Sequence, residues 1–217
     1  IDHIFTCHTN FLTISLVQGP QPIDVNLITF MHEFAEEKNK YEKRSLVFEL
    51  YTKLDKVDAS LNEVLLDKNI HIRAFFDGCE DIHNTQAESR NGPPYTDVLS
   101  SIQSIHDTAK QKDLTEDTHS VFAELAVGTA ALGRVEEILH NLKNAGIRNF
   151  QITPILDGSD AIEPGQFGIF VHDMLAAIDV HNEASDIKLR EVQTAALLER
   201  TGDGLLNGMS ADDVLDF

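Results

Sequence analysis

One nine-residue stretch, Ile70 to Gly78, constrains the fold of this chain most strongly. It reads Ile-His-Ile-Arg-Ala-Phe-Phe-Asp-Gly, in which five of the first seven residues are apolar or aromatic. It is too short for a stable helix and ends in an Asp-Gly turn, which predicts a buried strand. Helical patterns flank it at Ser60–Lys68 and Tyr95–Lys110, so the strand is predicted to be the middle of an α/β succession.

The same alternation of strands and helices extends over most of the chain. β-Branched, apolar runs predict strands, and apolar residues at three- and four-residue spacing predict helices, the first capped by Asp24. Residues 78–94 are polar and without periodicity, so they are predicted to form a loop at the mouth, where the carboxyl ends of the strands converge. Strands are predicted at 11–17, 45–52, 70–76, 119–127 and 147–156, and helices at 24–40, 59–67, 95–110, 134–145, 165–181 and 186–199.

Length and charge limit the classes of function. A chain of 217 residues predicts one domain with a small appendage, which we divide into a core at 1–160 and C-terminal helices with an acidic tail at 161–217. Asp and Glu outnumber Lys and Arg by 36 to 17, so a nucleic acid partner is not expected.

The cysteine content and the hydropathy of the sequence predict the cellular compartment of the protein. No apolar run approaches the roughly 20 residues of a membrane span, and no leader precedes the first strand. The two cysteines, Cys7 and Cys79, lie far apart, so neither a disulfide framework nor a structural zinc site is expected. A soluble protein of the reducing cytoplasm, without a membrane partner, is the expectation.

Three short segments at strand ends resemble motifs of one enzyme superfamily. Val17–Pro22 stands where that superfamily has Gly-Gly-Glu-Pro, and Tyr51–Leu54 stands in place of Gln-Thr-Asn-Gly. Phe75–Asn84 is similar to Ser-Leu-Asp-Gly-Pro with its trailing Ile-His-Asp. Ala145–Pro154 and Ile162–Gly168 continue the likeness. The chain thus resembles the radical S-adenosylmethionine enzymes, in the branch of anaerobic sulfatase maturases and peptide maturases with a C-terminal cluster extension.

The resemblance implies a fold and a cofactor pocket. The fold is a partial (β/α) TIM-like barrel of parallel strands with a short C-terminal helical extension. The implied S-adenosylmethionine pocket lies at the strand ends, and several of its positions are altered. The Glu of the first motif is Gln21, the Ser of the third is Phe75, and the Arg expected four residues after His83 is Ala87, although Arg90 is nearby. The implied cofactor-binding positions are Gly19, Gln21, Tyr51, Lys53, Phe75 and Asp77.

The largest difference between this sequence and the superfamily is the lack of the superfamily's cluster-binding cysteines. Its radical chemistry needs three cysteines in a CxxxCxxC loop to hold a [4Fe-4S] cluster. Only Cys7 stands before the first strand, followed by His8. Either these residues are an N-terminally incomplete piece of an active enzyme, or the protein is a degenerate relative. Incompleteness does not explain Pro20, Gln21, Lys53 or Phe75, which favours the degenerate relative.

Individual residues allow other interpretations. Asp77 is the one candidate catalytic base, but an Asp before Gly more often bonds to its own turn. Cys7 and His8 with His3 are an incomplete set of zinc ligands, so no metal site is predicted. Cys79 has no cationic neighbour in sequence and is expected to be unreactive.

The interpretation that follows is a radical-SAM-like protein that has lost its cluster ligands and binds without catalysis. It would serve as a partner subunit of a peptide- or protein-modifying system, which allows a hetero-oligomer. S-Adenosylmethionine and [4Fe-4S] are expected only if a CxxxCxxC segment precedes Ile1. The alternatives are an incomplete but active maturase, and an unrelated TIM-type enzyme that uses Asp77, Lys53 and Asp157 at strand ends.

Overall fold

Six parallel strands form one open sheet in the order of the chain, β1-β2-β3-β4-β5-β6. The computed structural model describes residues 4–6, 9–55, 57–114, 121–186 and 188–192. The strands are β1 (Phe11–Val17), β2 (Ser45–Thr52), β3 (Ile70–Phe75), β4 (Phe122–Val127), β5 (Asn149–Pro154) and β6 (Arg190–Glu191). The helices are α1 (Val25–Glu42), α2 (Ala59–Asp67), α3 (Glu80–Arg90), α4 (Tyr95–Gln111), α5 (Val135–Asn144) and α6 (Pro164–Ala184), with short 3₁₀ turns at Ile4–Thr6 and Thr129–Ala131.

The two faces of the sheet differ in character. On β3, Ile70, Ile72 and Ala74 are buried, whereas the residues between them are partly or fully exposed. The buried residues join helix residues such as Leu65 and Ile138 in one apolar core. This period of two places the helices on one face and leaves the other as the open inner face of the partial barrel.

Helix ends follow their capping signals. The Asp24 carboxylate accepts hydrogen bonds from the backbone N–H groups of Asn26 and Leu27, as predicted. Asp58 caps α2 in the same way through the Leu61 N–H. At the end of α1, Lys43 takes the left-handed conformation (φ 53°) and its N–H bonds to the Asn39 carbonyl.

The predicted α/β partial barrel with parallel strands is confirmed, and its sheet is not closed. Beyond β5, α6 leads back to β6, which pairs with β5 through Asn149 opposite Arg190. The division of the chain near residue 160 stays a prediction. Within the described residues, no helix is both long and apolar enough to cross a membrane.

Two predicted elements are wrong. Residues 78–94 were expected to be a loop, but Glu80–Arg90 form α3. The helix carries buried polar residues, among them His83 and Gln86, so it lacks the apolar spacing by which a helix is recognised. The helix predicted at 186–199 is also wrong at Arg190 and Glu191, which form β6. Residues 193–199 of that prediction and the acidic tail lie outside the described residues.

Candidate functional site

The carboxyl ends of the strands bring the predicted pocket positions to one edge of the sheet. Val17 of β1, Tyr51 of β2 and Arg73 of β3 lie side by side in the parallel register. Paired residues on neighbouring strands share a face of the sheet, and so do residues two apart on one strand. Tyr51 pairs with Arg73, and Phe75 lies two residues after Arg73, so Tyr51 and Phe75 both project from the inner face. Gly19 and Gln21 are exposed in the turn after β1, Lys53 directly follows β2, and Asp77 lies two residues beyond β3.

Asp77 is the most fully bonded residue at this edge. Its side chain is 1% exposed. Oδ2 accepts hydrogen bonds from Arg90 Nη2 at 2.8 Å and lies 2.9 Å from His83 Nδ1. Oδ1 accepts from the Ala126 N–H at 2.9 Å. The carboxylate thus joins the end of β3 to α3 and to the backbone of β4, and both oxygens are engaged.

Phe75 and Arg90 form the surface of the mouth beside Asp77. The Phe75 ring is 43% exposed, although the side chain is large and apolar. The Arg90 guanidinium lies over this ring at 4.5 Å from its centroid and at the same time donates to Asp77. The pair lies at the carboxyl end of β3.

Lys53 and the end of β1 are tied down by neighbouring loops. Lys53 Nζ donates to the Asn91 carbonyl at the end of α3, at 2.9 Å. Gln18 Oε1 accepts from the Thr52 hydroxyl at 2.7 Å and from the Lys53 N–H at 2.9 Å. These bonds hold the ends of β1 and β2 together and direct the Lys53 ammonium toward α3.

A charged row crosses the inner face below the mouth, and we call Glu49, Arg73 and Glu124 the inner-face charge row. Arg73 Nη1 lies 3.5 Å from Glu49 Oε1 and Nε lies 3.4 Å from Glu124 Oε1. Arg73 Nη2 donates to Gln151 Oε1 at 2.9 Å. The guanidinium also lies over the Phe122 ring at 3.9 Å. Arg73, on β3, therefore contacts residues of β2, β4 and β5 on the open face.

Two groups beside Arg73 have shifted pKa values. Burial raises the pKa of the Glu124 carboxyl; the Arg73 charge opposes the shift and Glu49 adds to it. Burial likewise raises the pKa of Tyr51. These shifts follow from the reduced solvation of charges on the concave face.

Cys79 lies below the edge, at the start of α3, and is fully buried. Burial raises the pKa of its thiol to about 11. The thiol is therefore protonated at neutral pH, as expected of an unreactive cysteine. Close to the same turn, Asp81 forms an ion pair with Arg134, with 2.7 Å between Oδ2 and Nη1.

Sequence reasoning missed the partners of Asp77 and the role of Arg73. One side of α3 carries His83, Gln86 and Arg90, at spacings of three and four residues. This helical spacing was present in the sequence, but the residues that form it are polar rather than apolar. Within the part of the chain that the structure describes, Gln86 Oε1 and Arg90 Nη1 are buried without a hydrogen bond. Arg73 lies in a strand whose apolar and polar residues alternate. In such a pattern, a charged residue on the inner face cannot be distinguished from one that faces solvent.

Metal ligands are not gathered in the described ranges. No group of three or more His, Cys, Asp or Glu residues there has a geometry that could hold a metal ion. His3, Cys7 and His8 lie outside the described residues.

Comparison with known proteins finds likeness in structure alone. No protein-family model and no curated protein matches the chain. Native anSMEcpe with bound AdoMet, an anaerobic sulfatase maturase, superposes with a TM-score of 0.66 at 15% identity, over 95% of this chain and 55% of that one. The same enzyme with bound AdoMet and Kp18Cys peptide gives 0.62 at 16% identity, over 91% of this chain and 54% of that one.

A second radical SAM enzyme is similar as well. Streptococcus suis SuiB bound to S-adenosylmethionine superposes with a TM-score of 0.57 at 10% identity, over 94% of this chain and 44% of that one. The chain thus spans about half the length of these enzymes. Identities this low establish a shared fold and nothing finer. The described chain has the α/β fold of radical SAM enzymes, as its strand-end motifs predicted.

Proposed function

We propose that this protein is a radical-SAM-like barrel that binds a peptide or protein partner and performs no radical chemistry with residues 1–217. The observation that carries the proposal is the pair of Phe75 and Arg90 at the mouth. Phe75 and Arg90 stack on each other above β3, and Arg90 is held by the buried Asp77 carboxylate. In the family that the chain resembles, a small serine stands at the position of Phe75.

The side chains at the implied cofactor positions do not fit S-adenosylmethionine. Gln21, where the resemblance implies a carboxylate for the cofactor's amino group, is exposed and neutral. The Asp77 carboxylate has both oxygens engaged by protein groups. Lys53 adds a cation that bonds to Asn91, in place of the implied neutral amide.

The cysteine content does not fit a cluster either. Three thiolates are needed to leave one iron open for the cofactor. The 217 residues contain two cysteines, and one of them, Cys79, is a buried thiol with a raised pKa. These residues alone therefore cannot supply the ligands of a cluster.

An unpaired strand edge favours a partner. Within the described residues β1 pairs on one side with β2 and has no strand on the other. The helix that follows β1, α1, has 18 residues of which Ile28 and Ala35 are buried, while Leu27 and Phe30 are 54% and 61% exposed. An exposed strand edge is a template for an added strand.

The free edge can be blocked without breaking the sheet. The Gln18 N–H bonds to Tyr51 of β2, so by alternation the Ser15 N–H faces the free edge. Ser15→Pro removes that donor, and Ser15→Ala is the matched control that loses only the hydroxyl. We expect peptides selected from a random library on the wild-type protein to bind the Ala variant normally and the Pro variant weakly. Peptides that bind both variants alike would contradict the edge as the docking site.

The absence of radical chemistry is tested separately. The protein is incubated anaerobically with iron, sulfide, a reductant and S-adenosylmethionine, and both the cluster absorbance and cofactor cleavage are followed. We expect neither to develop. Cleavage of the cofactor would overturn the proposal.

A second candidate function is an incomplete but active maturase. It is favoured by the match to AdoMet-bound enzymes over nearly the whole of this chain but only about half of theirs. An upstream coding segment with CxxxCxxC, joined to these residues and active in the same reconstitution, would establish it. A Phe75→Ser variant with improved cofactor binding would point the same way.

A further inference from the structure

The residues of β1 follow the same order of chemical types in both chain directions. The strand Phe-Leu-Thr-Ile-Ser-Leu-Val has Ile14 at its centre, a hydroxyl residue on each side of it, then a leucine on each side, and an apolar residue at each end. Such a strand presents the same surface to a copy of itself that runs in the opposite direction. β1 is also the edge of the sheet, with no strand beyond it among the described residues.

The backbone groups of β1 alternate between β2 and the free edge. The Gln18 N–H donates to the Tyr51 carbonyl, so the even-numbered residues of β1 bond to β2. The residues whose N–H and C=O groups face the free edge are therefore Phe11, Thr13, Ser15 and Val17. The Phe11 carbonyl accepts from the Thr9 hydroxyl at 2.8 Å and has a second lone pair for a further bond.

A two-fold axis at Ile14 pairs all of these backbone groups. In an antiparallel pair, two residues that lie directly opposite each other exchange both N–H···O bonds. With Ile14 opposite Ile14 of a second copy, Phe11 lies opposite Val17. In the same register, Thr13 lies opposite Ser15. Each residue that faces the free edge thus meets one that also faces it, and every free N–H in the strand meets a free C=O.

The side chains match in this register as well. Phe11 and Val17, which are 59% and 76% exposed, cover each other on the inner face. The hydroxyls of Thr13 and Ser15 lie opposite each other, which is a favourable cross-strand pair. Natural proteins commonly protect an edge strand from such pairing with a lysine, a proline or an inward charge, and β1 contains none of these.

We propose that two copies of this chain pair through β1, antiparallel about Ile14, and join their sheets into one. This deepens the proposed function and rests on it, because it names the protein partner at the β1 edge as a second copy. The contact is isologous, so it closes at two copies. It buries on the order of 1,000 Å², at the low end for stable interfaces, so the dimer should dissociate at micromolar concentrations. The formal charge of −19 on each copy opposes association, so added salt should strengthen the dimer.

Sedimentation velocity of the 217-residue protein tests the association. Over a range from about 1 to about 200 μM, we expect a change from monomer to dimer. Ser15→Pro removes an N–H that faces the second copy and should keep the protein monomeric over this range. Ser15→Ala, which keeps the backbone donor, should dimerise like the wild type. Circular dichroism of each variant verifies that the monomer is folded.

Charged variants test the register. Val17→Glu should raise the dissociation constant about tenfold or more, because its carboxylate faces the Phe11 ring without a partner. Val180→Glu, at a valine of α6 that is 69% exposed, is the matched control and should leave it unchanged. Combining Phe11→Lys with Val17→Glu should restore the dimer, because each new ammonium meets the new carboxylate of the other copy. The two positions lie at opposite ends of β1, so they cannot pair within one copy.

The outcomes separate this inference from the proposed function. If the protein stays monomeric while selected peptides still distinguish Ser15→Pro from Ser15→Ala, this inference fails and the β1 edge stands as the docking site. If a dimer forms that neither Ser15→Pro nor Val17→Glu weakens, the copies meet elsewhere and this inference fails. If the charged pair restores the dimer and no peptide is enriched, this inference stands and the binding of free peptides is refuted.

Discussion

Asp77 was predicted as a candidate base, yet its surroundings resemble those of a structural anchor. Its carboxylate accepts from Arg90 and from the Ala126 backbone, contacts His83, and is almost wholly buried. A catalytic base needs a free lone pair facing the substrate. We therefore favour the anchoring role for Asp77.

Replacing Asp77 tests the anchor. We expect Asp77→Ala to lower the free energy of unfolding by about 3 kcal/mol, because Arg90 and the Ala126 N–H lose their buried acceptor. Asp157→Ala, at an exposed position, is the matched control and should change the stability by less than about 0.5 kcal/mol. Urea unfolding followed by circular dichroism measures both. Equal stabilities of the two variants would exclude an anchoring role.

Cys79 makes stability depend on alkaline pH. The unfolded thiol ionises near pH 9.0, whereas the folded thiol keeps its proton to about 11. Between these values the folded state binds more protons, so stability that is complete below pH 9 is lost as the pH rises toward 11. Urea midpoints at pH 8 and pH 10 should differ more for the wild type than for Cys79→Ala. An equal loss in both proteins would assign the effect to other groups, such as Tyr51.

At the scale of elements, α3 is the part of the fold that organises the site. It supplies His83 and Arg90 to Asp77, and the carbonyl of Asn91, directly after its end, accepts from Lys53. The turn before it depends on Gly78, which has φ +79° and packs against α5. An added Cβ would lie 2.9 Å from Ile138 Cγ2 and 3.2 Å from Ile138 Cα. The approach of α5 to this turn therefore needs glycine for space as well as for conformation.

Gly78→Ala measures that close approach. Gly133, with φ +72° and nothing within 4 Å of an added Cβ, is the matched control for conformation alone. We expect Gly133→Ala to cost about 1 kcal/mol and Gly78→Ala about 1–3 kcal/mol more, because overpacking adds to the left-handed strain. Chemical unfolding of both variants gives the difference. A difference near zero would mean that α5 moves aside freely.

At the scale of the whole molecule, charge and shape act together. The formal charge of −19 opposes folding by mutual repulsion, and it also favours cationic partners. The open sheet presents one covered face and one exposed face, and the charge row lies on the exposed one. The same excess of acidic groups thus affects the stability of the protein and the sign of the charge that it attracts.

Added salt should therefore stabilise the protein. Raising NaCl from about 20 to about 200 mM shortens the range of repulsion to below roughly 10 Å, so the midpoint of thermal unfolding should increase. The exposed ion pairs, such as Asp81 with Arg134, are weakened by the same salt but contribute little each. Differential scanning fluorimetry measures the shift. A falling midpoint would mean that ion pairs outweigh repulsion.

The sequence by itself determined the five strands β1 to β5 and the helices α1, α2, α4, α5 and α6. β1 and β2 occupy the predicted residues 11–17 and 45–52, because periodic burial of apolar side chains is a local property of the chain. The motifs at strand ends also indicated a fold that the structural comparisons confirm.

Only the tertiary structure decided what the polar residues do. It revealed α3 inside a predicted loop, the partners of Asp77, and the position of Arg73 between two carboxylates. Each of these joins segments distant in the chain through buried polar contacts. Such contacts follow no local period, because a polar side chain is stabilised by a specific partner rather than by burial itself.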